Sequence, residues 1–283
     1  MREIRAATEK IARGVGVRGL VNIQFAIEEG KLFVLEANPR ASRTVPFVSK
    51  AIGVPLAKAA AQISLGKSIS DLRNEGLLPH HGDGVARGIS VKEAVLPWNR
   101  FRKRDGSGVD ALLGPEMRST GEVMGRDSTF GRAFSKSQSA ASGALPNSGS
   151  IFVSFADRDK AIGIAGAKKL FDAGYQLFAT AGTARALQAE GIDVVHVRKF
   201  SEGKGPNGEN TALDLIESGS VALVVNTPFG SGPREDGWRI RTSAVARGIP
   251  IITTISGLQA AAEAMVAQRA ANFTVTSLQE WLG

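Results

Sequence analysis

The sequence predicts an α/β protein in two parts: an antiparallel α+β part, then a five-stranded parallel sheet flanked by helices. Three observations predict it. Two apolar runs, LVNIQFAI and KLFVLEAN, flank the break EEG near the start. A Ser/Ala/Gly-rich stretch, FSKSQSAASGALPNSG, occupies residues 134–149. After it, short β-rich runs alternate with helical patterns to the end of the chain.

Ile4, Ala7 and Ile11 recur at helical spacing, so residues 2–13 predict a first helix that stops at the glycines of 14–19. The next two runs are rich in β-branched and aromatic residues, and the break between them carries Gly30, which predicts a β-hairpin. Residues 47–63 read as helix, a Gly-Val-Pro break, then a second helix with Pro55 in its first turn. From 79 to 125 the chain is polar and turn-rich, and its two apolar runs, GISVKEAVLP and MRSTGEVMG, predict antiparallel strands. The composition of 134–149 is that of a linker. The expected organisation is therefore a first domain over 1–133, a linker over 134–148 and a second domain over 149–283. In the second domain IFVSFA, QLFAT, DVVHV, VALVVN and IPIITT read as strands. The segments between and after them read as helices, most of them stopped by glycine, which is the pattern of a parallel sheet covered on both faces.

At 43% hydrophobic and 22% charged, the chain can bury an ordinary core. It has no apolar run of membrane-spanning length, and its first residues, MREIRAATEKIARGVG, carry acids where a secretion signal needs an apolar stretch. The absence of cysteine excludes disulfides and thiolate sites and fits a cytoplasmic protein. His80, His81 and His196 form no spaced zinc set. The net charge of +8 lies entirely in residues 1–150, which hold 22 Lys/Arg against 14 Asp/Glu. That excess suits phosphorylated small molecules or an acidic surface. Nucleic acid is not expected, because the basic residues are scattered apart from Arg100–Arg104 and aromatic residues are only 6%.

The stretch FVLEANPRASRTVP runs a hydrophobic strand into Glu36, Asn38, Arg40 and Arg43. If the hairpin pairs symmetrically about Gly30, Gln24 lies opposite Glu36, with Cβ atoms about 5 Å apart. Asn38, two residues on, shares the face of Glu36. One carboxylate and two amides suit Mg²⁺, which takes the rest of its shell from water and phosphates. The arginines add forks that fit phosphate or carboxylate. A strand-end polar cluster that caps the next helix explains the same residues equally well.

The longer stretch VRGLVNIQFAIEEGKLFVLEANPRASRTVPFVSKAIGVPLAKAA resembles the end of an ATP-grasp module, and more narrowly the second synthetase unit of the carbamoyl-phosphate synthetase large-chain family. LLGPEMRSTGEVMG resembles the end of that unit in the same family. The resemblance covers roughly 1–135, with departures at 73–89 and 100–108. It implies ATP-dependent phosphorylation of carbamate to carbamoyl phosphate, for pyrimidine and arginine synthesis. It implies that Gln24, Glu36 and Asn38 hold Mg²⁺ or Mn²⁺ against the phosphates of ATP, and that Arg40 and Arg43 act at the phosphate and the carbamate end. The family's glycine-rich phosphate loop and adenine-pocket strands have no counterpart here. The chain is therefore expected to be a partial, C-terminal piece that makes no carbamoyl phosphate alone. Its expected partners are the rest of the large chain and a glutaminase small subunit.

In an open parallel sheet, ligands gather outside the carboxyl ends of the strands. Asp157 and Lys160 follow the first strand, Thr180, Gly182 and Thr183 the second, Lys199 the third, Asn226 and Thr227 the fourth, and Thr253 and Thr254 the fifth. A Thr-Ala-Gly-Thr turn leading into a helix offers N–H groups and hydroxyls to a phosphate. A threonine before a helix is also an ordinary N-cap, and a single lysine an ordinary solvated one. What favours a site is that several strand ends agree.

The ATAGTA turn, the lysine of VRKFSEG, the NTP after VALVV and the approach DGWRIRTSAVARGIP resemble the methylglyoxal-synthase-like domain that ends carbamoyl-phosphate synthetase large chains. The resemblance makes the expected fold a partial, antiparallel ATP-grasp lobe followed by a five-stranded parallel methylglyoxal-synthase-like domain. It implies a regulatory pocket for UMP or IMP, with ornithine effects passed through the neighbouring domain. Lys160, Thr180, Thr183, Lys199, Asn226 and Thr227 match its phosphate pocket. Two alternatives stand beside this reading. One is a stand-alone nucleotide-sensing module. The other is a methylglyoxal-synthase-type lyase, for which Asp157 and Asp159 lack a clear second acid at the later turns.

Overall fold

A computed structural model describes residues 1–101, 104, 108–114, 116–141, 143–206, 208–228, 235–270 and 274–282. The chain divides into two compact units, residues 1–87 with 275–283, and residues 88–274.

The first unit opens with α1 (Arg2–Val15), which ends where Gly16 adopts the left-handed conformation. β1 (Asn22–Glu28) and β2 (Lys31–Asn38) form the expected hairpin. Its turn has positive φ at both Glu29 and Gly30, the conformation that matches the twist of paired strands. α2 (Thr44–Ile52), α3 (Leu56–Ser64) and α4 (Ile69–Asn74) follow, with left-handed Gly53 ending α2 and Pro55 capping α3 from just outside its first turn. A Cβ on Gly53 would lie 3.0 Å from Leu282 in the short helix Leu278–Leu282, which the sequence reading did not anticipate. Leu72 is fully buried, whereas none of residues 1–50 is.

The second unit begins with β3 (Ile89–Val95) and β4 (Gly121–Asp127), the expected antiparallel pair. The expected linker is different. α5 (Phe130–Ala141) covers its first half and packs on β3, β4 and α10 (Ile255–Ala270). Two of the small residues that suggested a flexible tether, Ser135 and Ser137, are contact residues instead, as are Gly131 and Ala133 just before that stretch. Gly131, Ala133, Ser135 and Ser137 are buried, and a Cβ on Gly131 would lie 2.7 Å from the carbonyl of Glu263. Arg102 and Lys103 of the basic run at 100–104, and residues 229–234, lie outside the described residues.

The five-stranded sheet is parallel, as expected, and the order of its strands is β7-β6-β5-β8-β9. In chain order it comprises β5 (Ser150–Ser154), α6 (Lys160–Asp172), β6 (Gln176–Thr180), α7 (Ala181–Ala189), β7 (Val195–Val197), α8 (Ala212–Glu217), β8 (Leu223–Asn226), α9 (Glu235–Arg247) and β9 (Ile251–Ile252). Alternation along β5 and β8 divides the core. Ile151, Val153, Leu223 and Val225 join α6 and α10 on one face, while Phe152 and Val224 join α8 and α9 on the other. The chain builds β5, β6 and β7 in one direction and then crosses back to place β8 beside β5. That reversal opens a crevice at the carboxyl ends of β5 and β8.

Candidate functional site

In the first unit the register places Gln24 opposite Glu36 and Asn22 opposite Asn38. The route differs from the unbulged pairing that the sequence suggested. Near the turn Glu28 pairs with Lys31, and a bulge at Leu35 then shifts the register so that Gln24 meets Glu36. The Nδ2 of Asn38 donates to Oε1 of Glu36 at 2.9 Å, so these two side chains share a face. Gln24 and Glu36 are exposed. Arg40 donates from Nη1 to the carbonyl of Ala41, and Arg43 stands at the N-cap position of α2 without a side-chain cap bond. The helix-capping explanation therefore has no bond to support it there. Among the described residues no group of three or more His, Cys, Asp or Glu is gathered. A set of one carboxylate and two amides suits a cation that draws most of its shell from elsewhere.

In the second unit a cavity of about 310 Å³ sits in the crevice. Lys160, Thr180, Thr183, Lys199, Asn226 and Thr227 all line it, which brings together every strand-end residue expected of a phosphate pocket. Its buried wall is made by hydroxyls. The main-chain N–H of Phe155 donates to Oγ1 of Thr183 at 3.0 Å, and that of Ala156 to Oγ1 of Thr227 at 2.8 Å. Thr180 stands at the N-cap of α7, yet its hydroxyl makes no cap bond and lies 3.2 Å from that of Ser154. The first-turn N–H groups of α7 have no acceptor within the helix, and the helix dipole makes that end attractive to an anion. A Cβ on Gly182 would lie 3.2 Å from Nζ of Lys160, so the lysine reaches over this turn.

The charges are partly committed. Lys160 pairs with Asp157 at 2.6 Å, and this bond, with Lys199 farther off, holds the Asp157 carboxyl below its ordinary range. Lys199 is fixed through its backbone, whose N–H donates to Glu202, and Asp236 accepts from both the N–H and the hydroxyl of Ser201 two residues on. A third cation, Arg241, is buried at 3% exposure and bonds Asp110 and Asn226. Asp110, Ser154, Asp236 and Arg241 were not expected at this site. Arg241 lies inside a helix and Asp110 on a distant loop, so no local spacing marks them. Thr253 and Thr254 do not line the cavity.

No helix among the described residues is long and apolar enough to cross a membrane. Two family models match the chain: "Carbamoyl-phosphate synthase L chain, ATP binding domain" over residues 1–72, and "MGS-like domain" over residues 164–253. Similar curated proteins include the carbamoyl phosphate synthase large chains of Streptomyces coelicolor (58% identical over 99% of this chain), Streptomyces avermitilis (57% over 99%) and Kineococcus radiotolerans (57% over 98%). The chain spans 26% of the length of each of these three.

Proposed function

We propose, for a chain that matches carbamoyl phosphate synthase large chains along nearly its whole length, two roles within such a protein. The parallel-sheet unit is an effector domain that takes the phosphate of a nucleoside monophosphate, UMP or IMP. The first unit contributes to the site where ATP phosphorylates carbamate. The observation that carries the first role is the convergence of six separately placed residues on one cavity at the reversal point of the sheet. The α7 N-terminus, Thr180 and Thr183 donate to the phosphate, Lys160 and Lys199 neutralise it, and Asn226 and Thr227 form the opposite wall.

In the first unit Gln24, Glu36 and Asn38 would hold Mg²⁺ or Mn²⁺. Such an ion, when bound, neutralises the charge spread over a transferring phosphoryl group. Arg40 and Arg43 orient phosphate and the carbamate end. Ile27, Phe33, Val34 and Leu35 are exposed on a hairpin that has no fully buried residue. A two-stranded sheet is marginal alone in water. Covering by the rest of a large chain fits this surface, and a glutaminase subunit, ornithine and a cytoplasmic location complete the same reading. A lyase is disfavoured because the acids of the cavity already have partners: Asp157 pairs with Lys160, and Asp236 accepts from the N–H and the hydroxyl of Ser201.

Equilibrium dialysis of UMP and IMP against the wild-type and Lys199→Ala chains tests the effector role. Binding of at least one nucleotide, weakened about ten- to a hundredfold by the substitution, is expected from one lost charge-assisted bond. Absence of binding to the wild type, or equal binding to both chains, refutes it.

A further inference from the structure

Arg241 is a positive charge set inside α9 and used in two directions. Its Nε and Nη2 donate to the two oxygens of Asp110 at 2.6 and 2.7 Å, and its Nη1 donates to Oδ1 of Asn226 at 2.8 Å. Asn226 is one wall of the cavity, and Asp110 lies 131 residues before Arg241, on the segment between β3 and β4. Two glycines make room for the arrangement. A Cβ on Gly108 would run into the carbonyl of Thr242, so this glycine lets the backbone of the segment lie directly on α9. A Cβ on Gly237 would lie 3.0 Å from Nη1 of Arg241 and 3.5 Å from Oδ1 of Asn226, at the junction itself. Ala111 is buried, and the N–H of Leu112 donates to the same Asp110 oxygen that Nε of Arg241 uses.

The chemistry of an amide turns this into a constraint on the cavity. Oδ1 of Asn226 is turned toward Arg241, so the amide's N–H₂ is the end that remains for other partners. A donor suits an anion and a carbonyl oxygen does not. Asp110 also neutralises the guanidinium, which holds Arg241 in one bidentate geometry.

We propose that Asp110 is a positioning residue for the anion cavity. Through Arg241 it fixes the Asn226 amide with its N–H₂ toward the ligand, and the same chain of bonds couples occupancy of the cavity to residues 108–114. This rests on the anion-binding reading of the cavity. An anion drawn to the N–H₂ of Asn226 favours the orientation that Arg241 and Asp110 impose. Coupling of this kind is reciprocal, so a held segment favours the ligand and a bound ligand holds the segment.

The test uses the full chain with UMP and with inorganic phosphate as probes, read by calorimetry and by hydrogen exchange resolved to peptides. In the wild type each probe should slow exchange at 180–185 and also at 108–114. Asp110→Asn should weaken binding about tenfold, and at saturating probe it should keep the response at 180–185 and lose that at 108–114. Asp110→Glu, which keeps a carboxylate, should recover part of both effects, as a merely structural role would not require. If Asp110→Asn fails to fold, Asn226→Ala cuts the same chain of bonds and leaves the buried ion pair whole; it should likewise uncouple 108–114 from 180–185. Protection of 180–185 without 108–114 in the wild type overturns the coupling and leaves the anion cavity standing. Protection of neither segment overturns both. A wild-type response in Asp110→Asn or Asn226→Ala overturns the role of the Asp110–Arg241–Asn226 chain.

Discussion

Lys160→Met and Asp157→Asn should move anion binding in opposite directions, although the two side chains touch. Nζ of Lys160 lies 2.6 Å from Oδ1 of Asp157, and the lysine also lies over Gly182 at the start of α7. A phosphate at that turn competes with Asp157 for the ammonium. Removing the lysine costs a hydrogen bond between charged groups, roughly 1.5–3 kcal/mol, or about a ten- to hundredfold loss of affinity. Removing the aspartate frees the lysine from a pair whose acid is 79% exposed, so the gain is that of a screened surface pair, about two- to fivefold tighter binding. Isothermal titration of UMP and of inorganic phosphate into the three chains, at low and moderate salt, reads both effects. The gain from Asp157→Asn should shrink as salt rises. Weaker binding in Asp157→Asn would mean that the aspartate holds the lysine in place for the ligand, and would refute the competition described.

Residues 88–274 expressed alone should melt in one cooperative transition, and residues 148–283 should melt lower or not cooperatively, because α5 packs on α10; thermal unfolding followed by circular dichroism separates the two. Gly125→Ala should destabilise the fold by several kcal/mol in a denaturant melt, since a Cβ there would strike the backbone of Ala133 and Ser137, which cannot yield as a side chain would. Burial raises the Glu93 carboxyl above its ordinary value despite the bond donated by Gln138. The contribution of Glu93 to stability is therefore fullest below the ordinary glutamate range and is lost as pH rises through the raised value. Glu93→Gln should raise the melting temperature at pH 7, and the difference should vanish below about pH 4. Thr211→Ala removes the hydroxyl that accepts from the Asp214 N–H in the capping box of α8 and should cost about 1 kcal/mol in the same melt.

The parallel sheet was legible because each strand is a short apolar run and most of the intervening helices stop at a glycine. The six cavity residues were legible because the sheet gathers its carboxyl ends, so residues far apart in sequence need only follow a strand to meet. The pairing of Gln24 with Glu36 was predicted, but the bulge at Leu35 that produces it was not, since an extra residue leaves no mark in an apolar run. α5 was misread because Ser, Ala and Gly serve both loose tethers and close helix contacts. Composition cannot distinguish these, whereas the full burial of Ser135 and Ser137, with Gly125 lying against the backbone of Ser137, does so at once. The Asp110–Arg241 pair was illegible for a different reason: nothing in either residue's local sequence refers to the other, and only the course of the chain over α9 brings them together.

The crevice beside β5 and β8 is proposed above as a phosphate site built on the start of α7. A crystal structure of the full chain grown with saturating UMP tests it most directly. The phosphate is expected at the α7 N-terminus, within hydrogen-bond reach of the Gly182 or Thr183 N–H, the Thr180 hydroxyl and the ammonium groups of Lys160 and Lys199, with the Asn226 amide turned to it by its nitrogen. An empty crevice at saturation, or UMP bound elsewhere on the chain, would contradict it.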